Sequence, residues 1–245
     1  MAIPHPWVRS VNGICFLETP PALRTRNGGR WFGPWEGHLI GCEFETRQLV
    51  RISLERVGGM YQGAAYPLSV SPPAVQPTFL GPIVCAVAPN GDLYVGSVRD
   101  SAWGLGSNLG EIVRLRFQQS KLPKGISEIR ALSDGFIVEM TAPVDRRQAA
   151  DVDNYLLASY RRVATPDYGG PDVDRRRERI TAVEVFPKGD PDVNRVKIKL
   201  NELREGFVYE FRLKNLFGKG EPLHPAEAYY TLRKIPGVAT NSDGG

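Results

Sequence analysis

Hydrophobic and polar positions alternate along much of the chain with the two-residue period of β-strands. In Val196-Lys-Ile-Lys-Leu200 the apolar residues point one way and the lysines the other. Phe207–Leu213 splits likewise, Val208, Glu210 and Arg212 against Tyr209, Phe211 and Leu213. This is the pattern of a strand with one buried and one wet face. Seven strands are predicted in the C-terminal half: Ser127–Leu132, Gly135–Thr141, Asn154–Val163, Arg179–Phe186, Asn194–Leu200, Phe207–Leu213 and Ala228–Arg233. Together they predict an immunoglobulin-like antiparallel β-sandwich over residues 126–236. Leu203-Arg-Glu-Gly-Phe-Val-Tyr209 has the spacing of a tyrosine corner, in which the Tyr hydroxyl clamps the backbone ahead of its strand. With no cysteine in this half, the sandwich has to stand on packing alone.

The first half repeats itself. Asn12-Gly-Ile-Cys-Phe-Leu17 is echoed by Gly81-Pro-Ile-Val-Cys-Ala-Val87, Gly37-His-Leu-Ile-Gly-Cys42 by Gly91-Asp-Leu-Tyr-Val-Gly-Ser97, and Gln48-Leu-Val-Arg-Ile-Ser-Leu54 by Glu111-Ile-Val-Arg-Leu-Arg-Phe117. A repeat of short strands in the same order is the pattern of propeller blades. Pro89-Asn-Gly-Asp92 adds a hairpin turn between two apolar strands. Propellers close with about four blades or more. Residues 1–118 are therefore expected to be the two C-terminal blades of a longer propeller rather than a complete ring. Gln118-Gln-Ser-Lys-Leu-Pro-Lys-Gly125 is polar and carries Pro and Gly, so 119–125 reads as a linker. The small, polar residues 237–245 read as a disordered tail. The predicted class is all-β, a partial β-propeller of about two blades followed by the sandwich.

Composition agrees with that class. The 26 Gly and 20 Pro punctuate the chain throughout, as many short strands require. The formal net charge is only +4, evenly balanced in both halves, so no basic domain points to nucleic acid. The runs Arg146-Arg147, Arg161-Arg162 and Arg175-Arg176-Arg177 sit among acidic residues and read as solvated loops or strand edges. The 3 cysteines, Cys15, Cys42 and Cys85, form no CxxC pair, which excludes a c-type haem motif and a Cys-rich zinc site. Each lies in an apolar run and is expected to act as a small buried hydrophobe. No apolar stretch approaches the length of a membrane helix, and the start of the chain lacks the charged and apolar regions of a signal peptide.

The segment GPIVCAVAPNGDLYVGSVRDSAWGLGSNLGEIVRLRF resembles the last blade of glucose/sorbosone dehydrogenase-like β-propellers, relatives of the pyrroloquinoline-quinone sugar dehydrogenases. GFIVEMTAPVD, YGGPDVD, LREGFVYEFRL and HPAEAYYTLRKIP resemble the Ig-like module that follows the propeller in large secreted bacterial proteins of that group. The resemblance covers most of residues 11–236. It implies a periplasmic or extracellular setting, a quinone (PQQ) and calcium in a full-length propeller, and a cytochrome c-type redox partner. The earlier blades that carry most of the family's quinone and calcium residues have no counterpart here. No family catalytic residue is therefore carried over, and no cofactor is assigned to this chain.

The first candidate ligand site is the loop Arg99-Asp-Ser-Ala-Trp-Gly-Leu-Gly-Ser-Asn-Leu109, because propeller loops on one rim build ligand sites on rigid blades. Arg99 offers a planar fork to an anionic or carbonyl oxygen. Asp100 offers an acceptor for a hydroxyl or for calcium, Trp103 a stacking face, and Asn108 a further polar group. The structural alternative has Trp103 plugging the core and Arg99 paired with Asp100. His38 is a candidate general base or, more plainly, a solvated histidine at a strand end. His5 and His224 read as terminus and turn residues, and three scattered histidines make no metal site. Arg24, Arg26 and Arg30 beside Trp31 read as a solvated insertion that could also stack or hold phosphate. The pairs Asp151/Asp153, Asp172/Asp174 and Asp190/Asp192 read as turn caps.

Two functions follow as expectations. One is the C-terminal part of a quinone-dependent sugar or alcohol dehydrogenase-like propeller protein, itself without a complete active site. The other is a non-catalytic propeller and Ig-like pair that binds carbohydrate or protein at the cell surface.

Overall fold

The computed structural model describes residues 7, 9–24, 29–68, 79–99, 109–166, 170–186 and 194–237. Its strands in chain order are β1 (Val11–Phe16), β2 (Leu39–Glu43), β3 (Gln48–Val57), β4 (Met60–Leu68), β5 (Pro82–Val87), β6 (Leu93–Val98), β7 (Gly110–Leu115), β8 (Ile126–Leu132), β9 (Gly135–Met140), β10 (Tyr155–Arg162), β11 (Asp172–Arg177), β12 (Ile180–Phe186), β13 (Arg195–Leu200), β14 (Phe207–Leu213) and β15 (Glu227–Leu232). They form three antiparallel sheets, none closed on itself, and the one α-helix among the described residues is α1 (Arg146–Ala150). The chain is all-β, as its patterning predicts. It divides into two compact units, a first made of Ile3–Ser53 and Ala65–Pro123, and a second made chiefly of Leu54–Ala64 and residues 124–237.

In the first unit the sequence repeat is laid out strand for strand. β1, β2 and β3 form one antiparallel meander, and β5, β6 and β7 form another. Their apolar residues share one core, with Ile40, Cys42 and Leu49 from the first meander and Cys85, Leu93 and Val95 from the second. Phe32 and Trp35, from the 3₁₀ turn Gly33–Trp35 and the residue before it, complete this core and meet Phe117 edge-on at 5.7 and 5.9 Å. A fully buried Phe contributes roughly 1.5–3 kcal/mol, so the segment that follows Trp31 anchors itself in the core at Phe32 and Trp35. Glu36 ties that stretch together, accepting from Thr19 N at 2.6 Å, Thr19 Oγ1 at 2.8 Å and Phe32 N at 3.3 Å.

The cysteines behave as expected of buried hydrophobes, and the fold gathers them. Cys42 and Cys85 are buried, Cys15 is half-buried, and the Sγ atoms of Cys15 and Cys85 lie 3.1 Å apart as free thiols. For Cys85 the contact with Cys15 lowers the pKa, but the contact with Cys42 and burial outweigh it, and the thiol is pushed up to about 12. The turn at Asn90-Gly91 differs from a two-residue hairpin. Gly91 N donates to Ala88 O at 2.9 Å and Ala88 N to Asp92 O at 2.9 Å, and of the central residues only Gly91 has positive φ, at 80°. The connection is thus a three-residue loop, a turn followed by a left-handed glycine. Trp31 covers it, donating from Nε1 to Gly91 O at 3.0 Å.

The second unit has two sheets packed face to face. One is ordered β12-β13-β9-β8, and the other includes β15-β14-β10-β11. Phe136 of β9 lies between them, its ring 4.9 Å from Tyr209, 5.1 Å from Phe211 and 5.2 Å from Tyr230. All seven strands predicted here are present with ends shifted by a residue or less. Tyr209 accepts from Arg204 N at 2.6 Å, the backbone clamp that its spacing predicts.

Two strands are additions. β11 occupies the Asp172/Asp174 segment, so that pair is not a turn cap. It is an edge strand held to β10 by ion pairs, Arg161–Asp174 at 3.1 Å and Arg162–Asp172 at 2.9 Å. The hairpin end of β3 and β4 turns on Gly58 and Gly59, at φ 54° and 81°, the left-handed pair of a two-residue hairpin. This hairpin end groups with the second unit. Glu55 accepts from Ala131 N at 2.8 Å and from the Tyr230 hydroxyl, and Gln62 Oε1 accepts from Arg233 N and Lys234 N at 3.0 and 2.9 Å.

Candidate functional site

Of the rim-loop candidates, Asp100, Trp103 and Asn108 lie outside the described residues, as do Arg26, His5 and the Asp190/Asp192 pair. Arg99 is exposed at the base of the loop, where its backbone N–H donates to Leu109 O at 2.8 Å, so the hairpin β6–β7 carries its register to the loop entrance. Asp151 caps a short 3₁₀ turn by accepting from Asp153 N at 3.0 Å, as the D-x-D reading expects. His224 lies in its turn with its backbone N–H on Lys124 O at 2.8 Å.

His38 is not solvated. It is 4 % exposed, and its Nδ1 lies 2.8 Å from Nη1 of Arg51, which is fully buried on β3. The reading of a wet strand-end histidine fails because the turn Phe32–Gly37 folds Trp35 back over the strand entrance. His38 N then donates to Trp35 O at 3.1 Å. The Arg51 guanidinium lies 4.9 Å from the Trp35 ring and 4.1 Å from the Tyr66 ring, and the Tyr66 hydroxyl meets Ser53 Oγ at 2.8 Å. A planar, weakly hydrated guanidinium suits such aromatic faces. Sequence reasoning missed this cluster because Arg51 sits in Val50-Arg-Ile52, where a charged residue between apolar ones reads as facing water. Among the described residues His38 is a buried partner of Arg51.

Trp35 joins this cluster to an open feature. Phe32, Trp35 and Phe117 form the aromatic wall of a cleft of about 330 Å³, floored by apolar side chains that include Leu93 and Leu115. Arg114, Arg116 and Lys121 also line it. The two arginines share one carboxylate, the buried Asp92, at 3.8 and 3.4 Å. Asp92 is itself held by the Asn90 side chain, which donates to it at 3.1 Å and accepts from its backbone N–H at 3.1 Å.

In the second unit Arg175 and Arg176, on the edge strand β11, enter a network with buried carboxylates. Glu210, buried on β14, accepts from Arg175 and Arg212, both at 2.6 Å. Burial raises the Glu210 pKa, but the two guanidinium contacts outweigh it and hold the carboxyl below its usual value. Glu178, also buried, meets Arg176 at 3.0 Å and Arg204 at 3.5 Å, and accepts from Ser159 Oγ. Such an arrangement ties an edge strand to its neighbour.

Among the described residues no three His, Cys, Asp or Glu side chains come together to hold a metal. No helix of the described residues is long and apolar enough to cross a membrane. No family model, curated protein or solved structure matches the chain.

Proposed function

We propose that the chain is the non-catalytic blade-and-sandwich portion of a sugar or alcohol dehydrogenase-like propeller protein. In this reading residues 1–118 are two neighbouring blades and residues 126–236 an Ig-like sandwich. Oxidation of the substrate, with its quinone, calcium and cytochrome partner, belongs to blades outside this chain.

The observation that carries the reading is the apolar outer face of the β5-β6-β7 meander. Val84, Gly96 and Ile112 are register partners in one row across the three strands. Val84 and Ile112 are exposed, Ile112 at 78 %, and the row stands on the opposite side from the buried Cys85, Val95 and Leu93. A β-sheet with both faces apolar is suited to lie between two layers, as a propeller blade lies between its neighbours. The two meanders in repeat order support the same reading, and the Tyr209 clamp supports the Ig-like assignment.

The test has two arms. The purified chain, supplied with PQQ, calcium, common sugars and alcohols and a dye acceptor, is expected to reduce no dye; sugar-dependent dye reduction by this chain alone would overturn the non-catalytic assignment. In sedimentation at high protein concentration the chain is expected to self-associate through the uncovered row, and Ile112→Glu is expected to abolish the association. A chain that stays monomeric with Ile112 intact argues against a blade face.

A further inference from the structure

The geometry points to the cleft of the first unit as a binding site for a small organic anion with an apolar body, a carboxylate on an alkyl or aryl chain. The inference stands on the cleft alone and is independent of the dehydrogenase-like reading. Its volume of about 330 Å³ lies at the lower end of the roughly 300–1,000 Å³ common for small-molecule sites. The floor and the aromatic wall of Phe32, Trp35 and Phe117 suit an apolar body, which such sites bury against hydrophobic side chains.

The charge decides which body end is taken. Three cationic side chains line the cleft, and the only carboxylate paired with any of them among the described residues is Asp92. Arg114 and Arg116 divide that one charge between them at 3.8 and 3.4 Å, and their side chains are more than half exposed. Lys121 has no ion pair among the described residues. The lining therefore carries an excess of positive charge beside an apolar floor, the complement of a carboxylate on a hydrophobic stem. A bidentate guanidinium–carboxylate contact is stronger and more directional than a neutral hydrogen bond.

Trp35 supplies a second, independent observation. It lines the cleft at 8 % exposure, and its indole N–H is buried with no hydrogen-bond partner. A buried donor left unmade is costly, and indole N–H groups usually find an acceptor when buried. Trp31, by contrast, spends its N–H on Gly91 O. The Trp35 indole thus leaves a donor unmet in a residue of the cleft wall.

Calorimetric titration of the full chain with octanoate, octanol and octyltrimethylammonium separates charge from apolar body. Saturable one-to-one binding of octanoate is expected, with octanol weaker by about tenfold or more, as the loss of a charge-assisted contact implies, and no binding of the cation. Lys121→Glu with Arg114→Gln is expected to weaken octanoate by about tenfold or more and to leave octanol unchanged. Lys121→Glu alone, at an exposed position, should give a smaller loss of the same sign. Ile112→Ser, which lies outside the cleft lining, should leave all three titrations as they are. The proposal is overturned by an absence of saturable octanoate binding, by equal affinity for octanoate and octanol, by full binding in the charge-reversed chain, or by loss of binding in Ile112→Ser.

Discussion

In the first unit the buried carboxylate Glu43 is met by backbone donors and a hydroxyl, whereas in the second unit the buried carboxylate Glu210 is met by two arginines. Glu43 accepts from Arg9 N at 2.9 Å, Ser10 N at 2.5 Å, and both the N–H and the hydroxyl of Thr46. Glu210 accepts from Arg175 and Arg212, whose side chains remain half-exposed. The first solution demands that loops far apart in sequence hold fixed positions, so the carboxylate organises the fold around it. The second joins side chains that reach from neighbouring strands and leaves the backbone to the sheet. Polar groups are keystones in the first unit and edge fasteners in the second. The largest apolar effects accordingly belong to the second unit, and the largest polar ones to the first.

Phe136→Ala tests that ranking from the apolar side. Phe136 is fully buried against three aromatic rings that belong to the facing sheet. Removing a buried Phe costs about 3–5 kcal/mol, partly as lost transfer energy and partly as the cavity left behind. Hydrogen exchange after the substitution is expected to lose protection in β9, β14 and β15 and to keep it in β5 and β6. Loss of protection in the first unit to the same degree would remove the distinction between the two.

Glu43→Gln tests it from the polar side. The amide keeps one acceptor oxygen but turns the other into a donor that faces donors, at a cost of about 1–3 kcal/mol. The acid response sharpens the contrast. Burial alone would raise the Glu43 pKa, but its four donors overcome this and hold it below the ordinary 4.5. A carboxyl depressed by folding contributes stability that is fully present above 4.5 and is lost as pH falls through its folded value. Glu210 is depressed in the same direction, so it shares the same window. Salt separates them. Raising ionic strength should shrink the share of acid sensitivity due to Glu210, whose arginines face water, and leave that of Glu43 in place. In chemical denaturation at acid pH, Glu43→Gln should flatten the pH dependence at high salt, while Glu210→Gln should flatten it mainly at low salt.

How far the fold could be read from sequence follows the same division. The seven strands of the second unit were legible because Val196, Ile198 and Leu200, or Tyr209, Phe211 and Leu213, mark a buried face by simple alternation. The strand β11 was not, because Asp172-Val-Asp-Arg-Arg-Arg177 has only one apolar residue and is held by ion pairs to β10 that no local pattern reveals. The hairpin of β3 and β4 has a signal in Gly58-Gly59, a two-residue turn between apolar runs. The site was less legible than the fold. Arg51 and His38 are ordinary surface residue types, and only a turn that seats Trp35 over them makes them interior. Phe32, Trp35 and Phe117 of the cleft wall are brought together by the packing of two meanders, not by any spacing along the chain.

The smallest expected effect lies in the edge fasteners themselves. Arg161 pairs with Asp174 across β10 and β11, with both side chains more than half exposed. Exposed pairs gain little, because water screens the attraction and two long side chains must be ordered to make it. Arg161→Ala should therefore cost about 0.5 kcal/mol or less, and that cost should vanish in high salt. Asp174 sits at φ 55°, beside the register shift that separates Ser159 from Arg161, so the pair also marks the place where β11 leaves regular pairing. Asp174→Gly relieves that conformation while removing the same ion pair. If the pair matters little, Asp174→Gly should be neutral or slightly stabilising and Arg161→Ala slightly destabilising, both read as shifts in denaturation midpoint. A loss of more than about 1 kcal/mol in Arg161→Ala would place the edge strand among the keystones and erase the contrast with Glu43.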